Sequence, residues 1–104
     1  MPITPVQPQA DPAAEELAPL FRALADPGRL TILQHLALGE HRVVELTRHL
    51  GLAQSTTSAH LAVLREAGLV SVRSEGRSSR YALAAAPELV GLLTAASQLL
   101  GRSR

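Results

Sequence analysis

From residue 43 to residue 69 the chain reads VVELTRHLGLAQSTTSAHLAVLREAGL, in which two short amphipathic helix patterns flank a turn. The first pattern runs from Val43 to about Leu50, with Leu46 on the same apolar face, and Gly51 follows it. The second pattern extends to about Ala67. This arrangement predicts a helix-turn-helix, in which the first helix lies across the second and sets its angle.

The second helix of this pair begins with small polar side chains. Gln54 or Ser55 is expected to cap it, while Leu61 and Leu64 face inward. Capping accounts for one hydroxyl but not for four in succession, and serine and threonine are mediocre helix formers. We therefore predict contacts to DNA bases or phosphates from Gln54, Ser55, Thr56, Thr57, Ser58 and His60. For His60, a packing contact within the protein is the alternative.

A β-hairpin pattern follows directly, because residues 70–83 read VSVRSEGRSSRYAL. Alternation places Val70, Val72, Tyr81 and Leu83 on one side, and residues 74–78 form the tip. Arginine at such a tip can reach a phosphate or the minor groove. The hairpin is thus predicted to be a wing that contacts DNA through Arg73, Arg77 and Arg80.

Helical patterns surround these elements. The first helix starts at Ala13. A second helix starts at Asp26-Pro27 and ends by Gly39, and a last helix covers about residues 87–100. The predicted fold class is mainly α (α+β): a winged helix-turn-helix of about five helices with a two-stranded hairpin wing. We expect a disordered proline-rich arm at residues 1–12, a DNA-binding and dimerisation domain at residues 13–100, and a flexible tail at residues 101–104.

Composition narrows the function classes. The chain has 104 residues, enough for one domain, and no cysteine, which excludes disulfides and thiolate metal sites. The net charge is only +1, yet residues 41–80 carry six arginines against three glutamates, whereas the preceding segment is acidic. Neither a signal peptide nor a span of roughly 20 apolar residues is apparent. We therefore expect a cytoplasmic protein that binds double-stranded DNA and no membrane.

The last helix is apolar over more of its circumference than a small domain can bury. Its apolar residues are Leu89, Val90, Leu92, Leu93, Ala96, Leu99 and Leu100. A second copy of the chain would cover this surplus, so the pattern predicts a homodimer. The alternative is a hydrophobic tail folded entirely onto its own core.

Residues 21–83 resemble the ArsR/SmtB family of winged-helix transcriptional regulators. The resemblance lies in ALADPGRLTILQHL with Asp26, Pro27 and Arg29, in the Ser-x-His-Leu of the helix-turn-helix, and in the Gly-Arg of EGRSSRYAL. It implies a homodimer, held by its first and last helices, that binds an imperfect inverted repeat near a promoter and answers a chemical signal. The interface residues it implies here are Leu17, Leu20, Phe21, Leu89, Leu92, Leu93, Ala96, Leu99 and Leu100.

The metal sites usual for this family do not transfer to this chain. Arg42 and Val44 stand where a thiolate site has cysteines, and the positions of the last-helix site fall near Ala85, Pro87, Gln98 and Gly101. Of the four histidines, His35 and His41 flank Gly39 and can converge near Glu40. A histidine site for nickel, cobalt or zinc therefore stays open as an alternative to signalling through a separate sensor protein or another effector.

The motifs of this sequence bear on three function classes. Catalysis is not expected, since no acid orients His60 and no glycine-rich phosphate loop is present. The expected function is sequence-specific regulation of transcription, of metal- or stress-related genes, as repressor or activator. A dimeric protein-interaction module that keeps the fold without binding DNA is the alternative.

Overall fold

The computed structural model describes residues 11–102, and this part of the chain contains five helices and three strands. In chain order they are α1 (Pro12–Leu24), α2 (Pro27–Leu36), β1 (His41–Arg42), α3 (Val43–Leu50), α4 (Gln54–Glu66), β2 (Val70–Glu75), β3 (Ser78–Leu83) and α5 (Ala86–Arg102). The winged helix-turn-helix prediction is confirmed. Among residues 11–102, no helix is both long and apolar enough to span a bilayer.

The wing is part of a three-stranded antiparallel sheet with the order β1-β3-β2. Val70 pairs with Leu83 and Val72 with Tyr81, so these four side chains share one side of the hairpin, as the alternation predicted. The additional strand β1 was not predicted, because two residues are too short to show a period. Its pairing of His41 with Tyr81 joins the start of α3 to the wing.

The core lies between α2, α3 and α4, where aliphatic side chains of all three helices meet. Ile32, Leu33, Leu46, Leu61 and Leu64 are all at most 1% exposed. Burying each such side chain contributes about 1.5–3 kcal/mol relative to leaving it in water. This packing fixes the angle between α3 and α4.

The helix ends differ from the expected boundaries at both termini. Helix α1 begins at Pro12 rather than after it, since the Asp11 carboxylate accepts a hydrogen bond from the Ala13 backbone N–H at 2.8 Å and proline suits a first turn. Helix α5 continues through Gly101 to Arg102, because one glycine costs a helix only about 1 kcal/mol. The rest of the predicted arm (residues 1–10) and of the tail (residues 103–104) lies outside the described residues.

Candidate DNA-binding surface

The first turn of α4 presents an open row of polar groups. Gln54, Ser55, Thr56 and Ser58 are all exposed. The N-cap is Ala53, which corrects the expectation that Gln54 or Ser55 caps the helix, and no side chain caps this end. The first backbone N–H groups of α4 therefore remain available to an outside acceptor, next to hydroxyl groups that can donate or accept.

The prediction that Thr57 contacts DNA is wrong. Its side chain is fully buried, and its Oγ1 donates a hydrogen bond to the Ala53 carbonyl oxygen at 3.3 Å. It lies four residues before Leu61 and seven before Leu64, on the inward face of α4. The same helical spacing was visible in the sequence and would have assigned Thr57 to the core.

His60 lies against the start of α2 rather than on the open surface. Its side chain is 17% exposed, and its Nε2 is 3.9 Å from Oδ1 of Asp26. Its Nδ1 is 3.5 Å from an Arg29 guanidinium nitrogen. A Cβ added at Gly28 would stand 2.9 Å from the imidazole, so glycine permits this close approach. The geometry favours the packing alternative for His60 over a contact to DNA.

Asp26 and Arg29 hold three helices together at this point. The Asp26 carboxylate accepts a hydrogen bond from the Arg29 backbone N–H at 3.1 Å and so caps α2. That bond is the main reason that the pKa of Asp26 is lower than usual. The Arg29 side chain donates to the carbonyl oxygens of Ala23 at 2.6 Å and Arg22 at 3.2 Å. The Asp-Pro-x-Arg motif thus joins the end of α1, the start of α2 and, through His60, α4.

Helix α3 and the turn after it position the polar start of α4. Leu46 is fully buried, and the carboxylate of Glu45 accepts a hydrogen bond from the Arg42 backbone N–H at 2.7 Å. This bond lowers the pKa of Glu45. Gly51 ends the helix at φ +66°, a left-handed conformation that favours glycine, and so allows the sharp turn into α4.

Two of the three predicted wing contacts are already engaged with acids. Arg73 donates to Glu40 at 2.8 Å and to Glu75 at 3.0 Å, and Arg80 donates to Glu75 at 3.1 Å. The hydrogen bonds from Arg80 and then Arg73 lower the pKa of Glu75. Sequence reasoning missed both acids. The hairpin pattern could have indicated an acidic partner, because Arg73 stands directly opposite Arg80. Two cations that face each other destabilise a hairpin unless an anion lies close to both.

Arg77 differs from the other wing arginines. It lies with Gly76 in the two-residue turn between β2 and β3, and its side chain is exposed. Within residues 11–102 it has no ion pair or side-chain hydrogen bond, so its guanidinium is available to a phosphate. Within the described residues, Arg77 is therefore the wing arginine without an acid partner, whereas Arg73 and Arg80 are paired with acids.

The predicted dimer residues divide into exposed and buried groups. Leu17 and Phe21 of α1 are 47% and 48% exposed, and Leu99 and Leu100 of α5 are 63% and 56% exposed. Ala96 is also exposed, whereas Leu20, Leu92 and Leu93 are half-buried against the core. The prediction that Leu89 lies in the interface is wrong, since Leu89 is 4% exposed and belongs to the core. The exposed members of the set lie on α1 (Leu17 and Phe21) and on α5 (Ala96, Leu99 and Leu100).

His35 and His41 converge as the sequence suggested, with ring centres 6.4 Å apart. His49, which was not predicted, lies with them, because α3 brings its last turn to the end of α2. Glu40 is engaged with Arg73 instead. Among residues 11–102, no group of three or more histidine, aspartate or glutamate side chains is arranged so that it could hold a metal ion.

Comparisons with known proteins agree with this fold. The profile described as "Bacterial regulatory protein, arsR family" matches residues 26–72. The solved structure of Rv0081 from Mycobacterium tuberculosis is 37% identical, with a TM-score of 0.81, over 90% of this chain and 94% of that one. The chain belongs to the ArsR family. Proteins of this family are transcriptional regulators and not enzymes.

Two further relatives of this ArsR-family chain are informative. A "probable mercury resistance operon repressor" of Streptomyces lividans is 44% identical over 66 residues, or 64% of this chain and 53% of that protein. A solution structure from Mycobacterium bovis, described as a homodimeric winged helix-turn-helix DNA-binding domain, is 35% identical with a TM-score of 0.72, covering 92% of this chain and 90% of that one. The chain spans 53–58% of the length of the curated relatives that it matches first.

Proposed function

We propose that this chain is a cytoplasmic, sequence-specific transcriptional regulator that binds, as a homodimer, an inverted repeat near a promoter of metal- or stress-related genes. One observation carries the proposal: the exposed start of α4 has hydroxyl side chains and no side-chain cap. A helix start that is left open in this way costs stability and gains a surface for an anionic partner.

The start of α4 has the chemistry to contact both the DNA backbone and the bases. Its free backbone N–H groups and the positive end of the helix dipole attract a phosphate. Ser55, Thr56 and Ser58 are short enough to approach base edges in the major groove, and the Gln54 amide can pair with adenine. We assign backbone positioning to the N–H groups and base preference to these side chains.

The wing supplies a second contact in this proposal. Arg77 at its tip carries an exposed guanidinium that has no acid partner in residues 11–102. A phosphate contact from Arg77 adds affinity that does not depend on sequence. Arg73 and Arg80 contribute to DNA binding only if a phosphate displaces Glu75 from them.

The exposed apolar residues of α1 and α5 support the homodimer. Phe21 and Leu17 are about half exposed in a single chain, which is unusual for large apolar side chains that lie close together. The mycobacterial relative described as homodimeric shares this fold. In a two-fold dimer the two α4 helices would lie about 34–36 Å apart, one turn of DNA, or a multiple of that distance.

The test measures binding of the purified chain to its own upstream DNA by fluorescence anisotropy at several salt concentrations. We expect Arg77→Ala to weaken binding to all duplexes and to reduce the salt slope by about 1. Arg65→Ala removes the same charge from the far end of α4 and should leave the slope unchanged. Substituting Ser55 or Ser58 by alanine should instead change which bases are preferred.

Two results would contradict the proposal. One is an absence of binding to any upstream fragment or to random duplex at low salt, which would favour a protein-interaction module with this fold. The other is a monomeric protein at micromolar concentration by sedimentation, which would remove the paired recognition helices.

A further inference from the structure

Three arginines form a row across the three-stranded sheet. Arg42 of β1 pairs with Arg80 of β3, and Arg80 pairs with Arg73 of β2. Directly paired residues point to the same face of a sheet, and neighbouring strands are about 4.8 Å apart. The three side chains therefore stand side by side, on the face opposite to Val72 and Tyr81. We call this set the arginine row.

Glu75 lies among these arginines and pairs with all three. On β2 it is two residues beyond Arg73 and hence on the same face. Its carboxylate accepts hydrogen bonds from Arg80 at 3.1 Å and from Arg73 at 3.0 Å, and its Oε1 is 3.9 Å from Nη2 of Arg42. Glu40 supplies a second acid, 2.8 Å from Arg73. One carboxylate thus serves three guanidinium groups.

The cluster keeps an excess of positive charge and stays open to solvent. Three guanidinium groups face two carboxylates, so one positive charge is in excess. The side chains of Arg42, Arg73 and Glu75 are 43%, 55% and 44% exposed. Ion pairs at such exposure contribute little to stability. The cluster is therefore better explained by what it binds than by support of the fold.

A DNA phosphate can take the place of the Glu75 carboxylate on the arginine row. Both groups are oxyanions that a guanidinium binds through two parallel hydrogen bonds. Arg80 is three residues from Arg77 of the wing tip, which corresponds to about 10 Å along the hairpin. A duplex that reaches Arg77 therefore comes close to the row. Contacts from the row to phosphates would add affinity without sequence information.

We propose that Glu75 is a specificity-determining residue, which occupies the place of a phosphate on the arginine row and so keeps the sequence-independent affinity of the wing low. This inference rests on the proposed function, since it requires that the chain binds DNA. A complex on random DNA can shift until phosphates fit the row, whereas base contacts from α4 fix the register on the operator. Glu75 therefore weakens binding to random DNA more than binding to the operator.

The experiment measures the affinity of the full chain for its upstream operator and for random duplex, by fluorescence anisotropy at several salt concentrations. Glu75→Gln keeps the shape of the side chain and removes its charge. We expect the affinity for random duplex at low salt to rise at least about tenfold, and the salt slope to steepen by about 1–2, since each phosphate contact adds about 0.9. The affinity for the operator should rise less, so that the ratio of the two affinities falls at least about threefold.

Two further variants separate release of the arginine row from the mere loss of a negative charge. Glu66→Gln removes the same charge from the last residue of α4 and should change neither the ratio nor the salt slope. Glu75→Gln combined with Arg73→Gln and Arg80→Gln should lose the gain in affinity for random duplex, because that gain depends on the released guanidinium groups.

An unchanged ratio of affinities in Glu75→Gln, or an equal fall of the ratio in Glu66→Gln, would overturn the proposal. A gain that persists in the triple variant would overturn it as well. In each of these cases the wild type still binds its operator, so the proposed function stands. A wild type that binds neither duplex would instead overturn the proposed function and, with it, this inference.

Discussion

Helix α2 starts with a closed hydrogen-bonded cap, whereas helix α4 starts without one. At α2, the Asp26 carboxylate accepts the Arg29 backbone N–H, and the side chains of Arg29 and His60 close around it. At α4, the capping position is occupied by Ala53, whose methyl group cannot accept a hydrogen bond. The two helices belong to one small domain and pack against one another, so the difference is local.

The difference shows where stability has been given up. Alanine at an N-cap costs about 1 kcal/mol relative to serine or aspartate, a large share of the stability of a small domain. Departures from local stability rules are expected at functional sites. The uncapped start of α4 therefore points to the surface that binds a partner, while the capped start of α2 belongs to the frame.

Ala53→Asp is the substitution expected to have the largest effect. Its carboxylate would cap α4 and raise the free energy of unfolding by about 1 kcal/mol. The same charge would repel the phosphate that the open N–H groups attract, and operator affinity should fall at least about tenfold. Urea unfolding and fluorescence anisotropy measure the two effects.

Ala53→Ser is the control for that experiment, because serine caps the helix without adding a charge. We expect a similar gain in stability and a smaller loss of affinity. If Ala53→Asp binds the operator as tightly as the wild type, the start of α4 does not face phosphate, and the comparison between the two helix starts loses its functional meaning.

Asp26→Ala should have an intermediate effect, on stability rather than on base preference. Loss of the cap removes the hydrogen bond to the Arg29 backbone and the charge beside His60, and we expect the thermal midpoint to fall by about 5 °C. Asp26→Ser should recover much of this loss. A change in the preferred operator bases, measured on a set of single-base variants, would contradict the assignment of Asp26 to the frame.

The smallest expected effect is a contribution of Asp26 to acid sensitivity. Its folded-state pKa is lowered mainly by the Arg29 backbone N–H, so it lies below the unfolded value. Asp26 therefore stabilises the fold above about pH 4, and that contribution is lost as the pH falls through the folded-state pKa. Asp26→Asn should flatten the acid side of a stability profile without abolishing it, because Glu45 and Glu75 also have lowered pKa values. An unchanged profile would mean that Asp26 contributes nothing to acid sensitivity.

The sequence was sufficient where a feature depends on neighbours along the chain. The Asp26 cap, the turn at Gly51 and the common face of Val72 and Tyr81 follow from local patterns, and the structure confirms each of them. Thr57 shows the limit of composition: a polar run suggests an exposed surface, but helical periodicity places its third hydroxyl in the core. Giving the helical period more weight than the polarity of the run would have assigned Thr57 to the core.

Other features depend on contacts between distant residues and left little trace in the sequence. The ion pair between Glu40 and Arg73 joins a residue that precedes the helix-turn-helix in the chain to a residue that follows it. The approach of His49 to His35 depends on how α3 packs against α2, which no spacing within one helix reveals. Burial of Leu89 likewise depends on where α5 meets the core.

The glutamate at position 75 carries a consequence for how such a regulator would search a chromosome. By holding Arg73 and Arg80, it weakens the attraction of the wing to the vast excess of wrong sites, each of which presents the same phosphates. Time spent on irrelevant DNA would be shortened, and discrimination would rest on the helix that reads bases. The carboxylate of Glu75 would thus set the balance between nonspecific DNA binding and recognition of one operator.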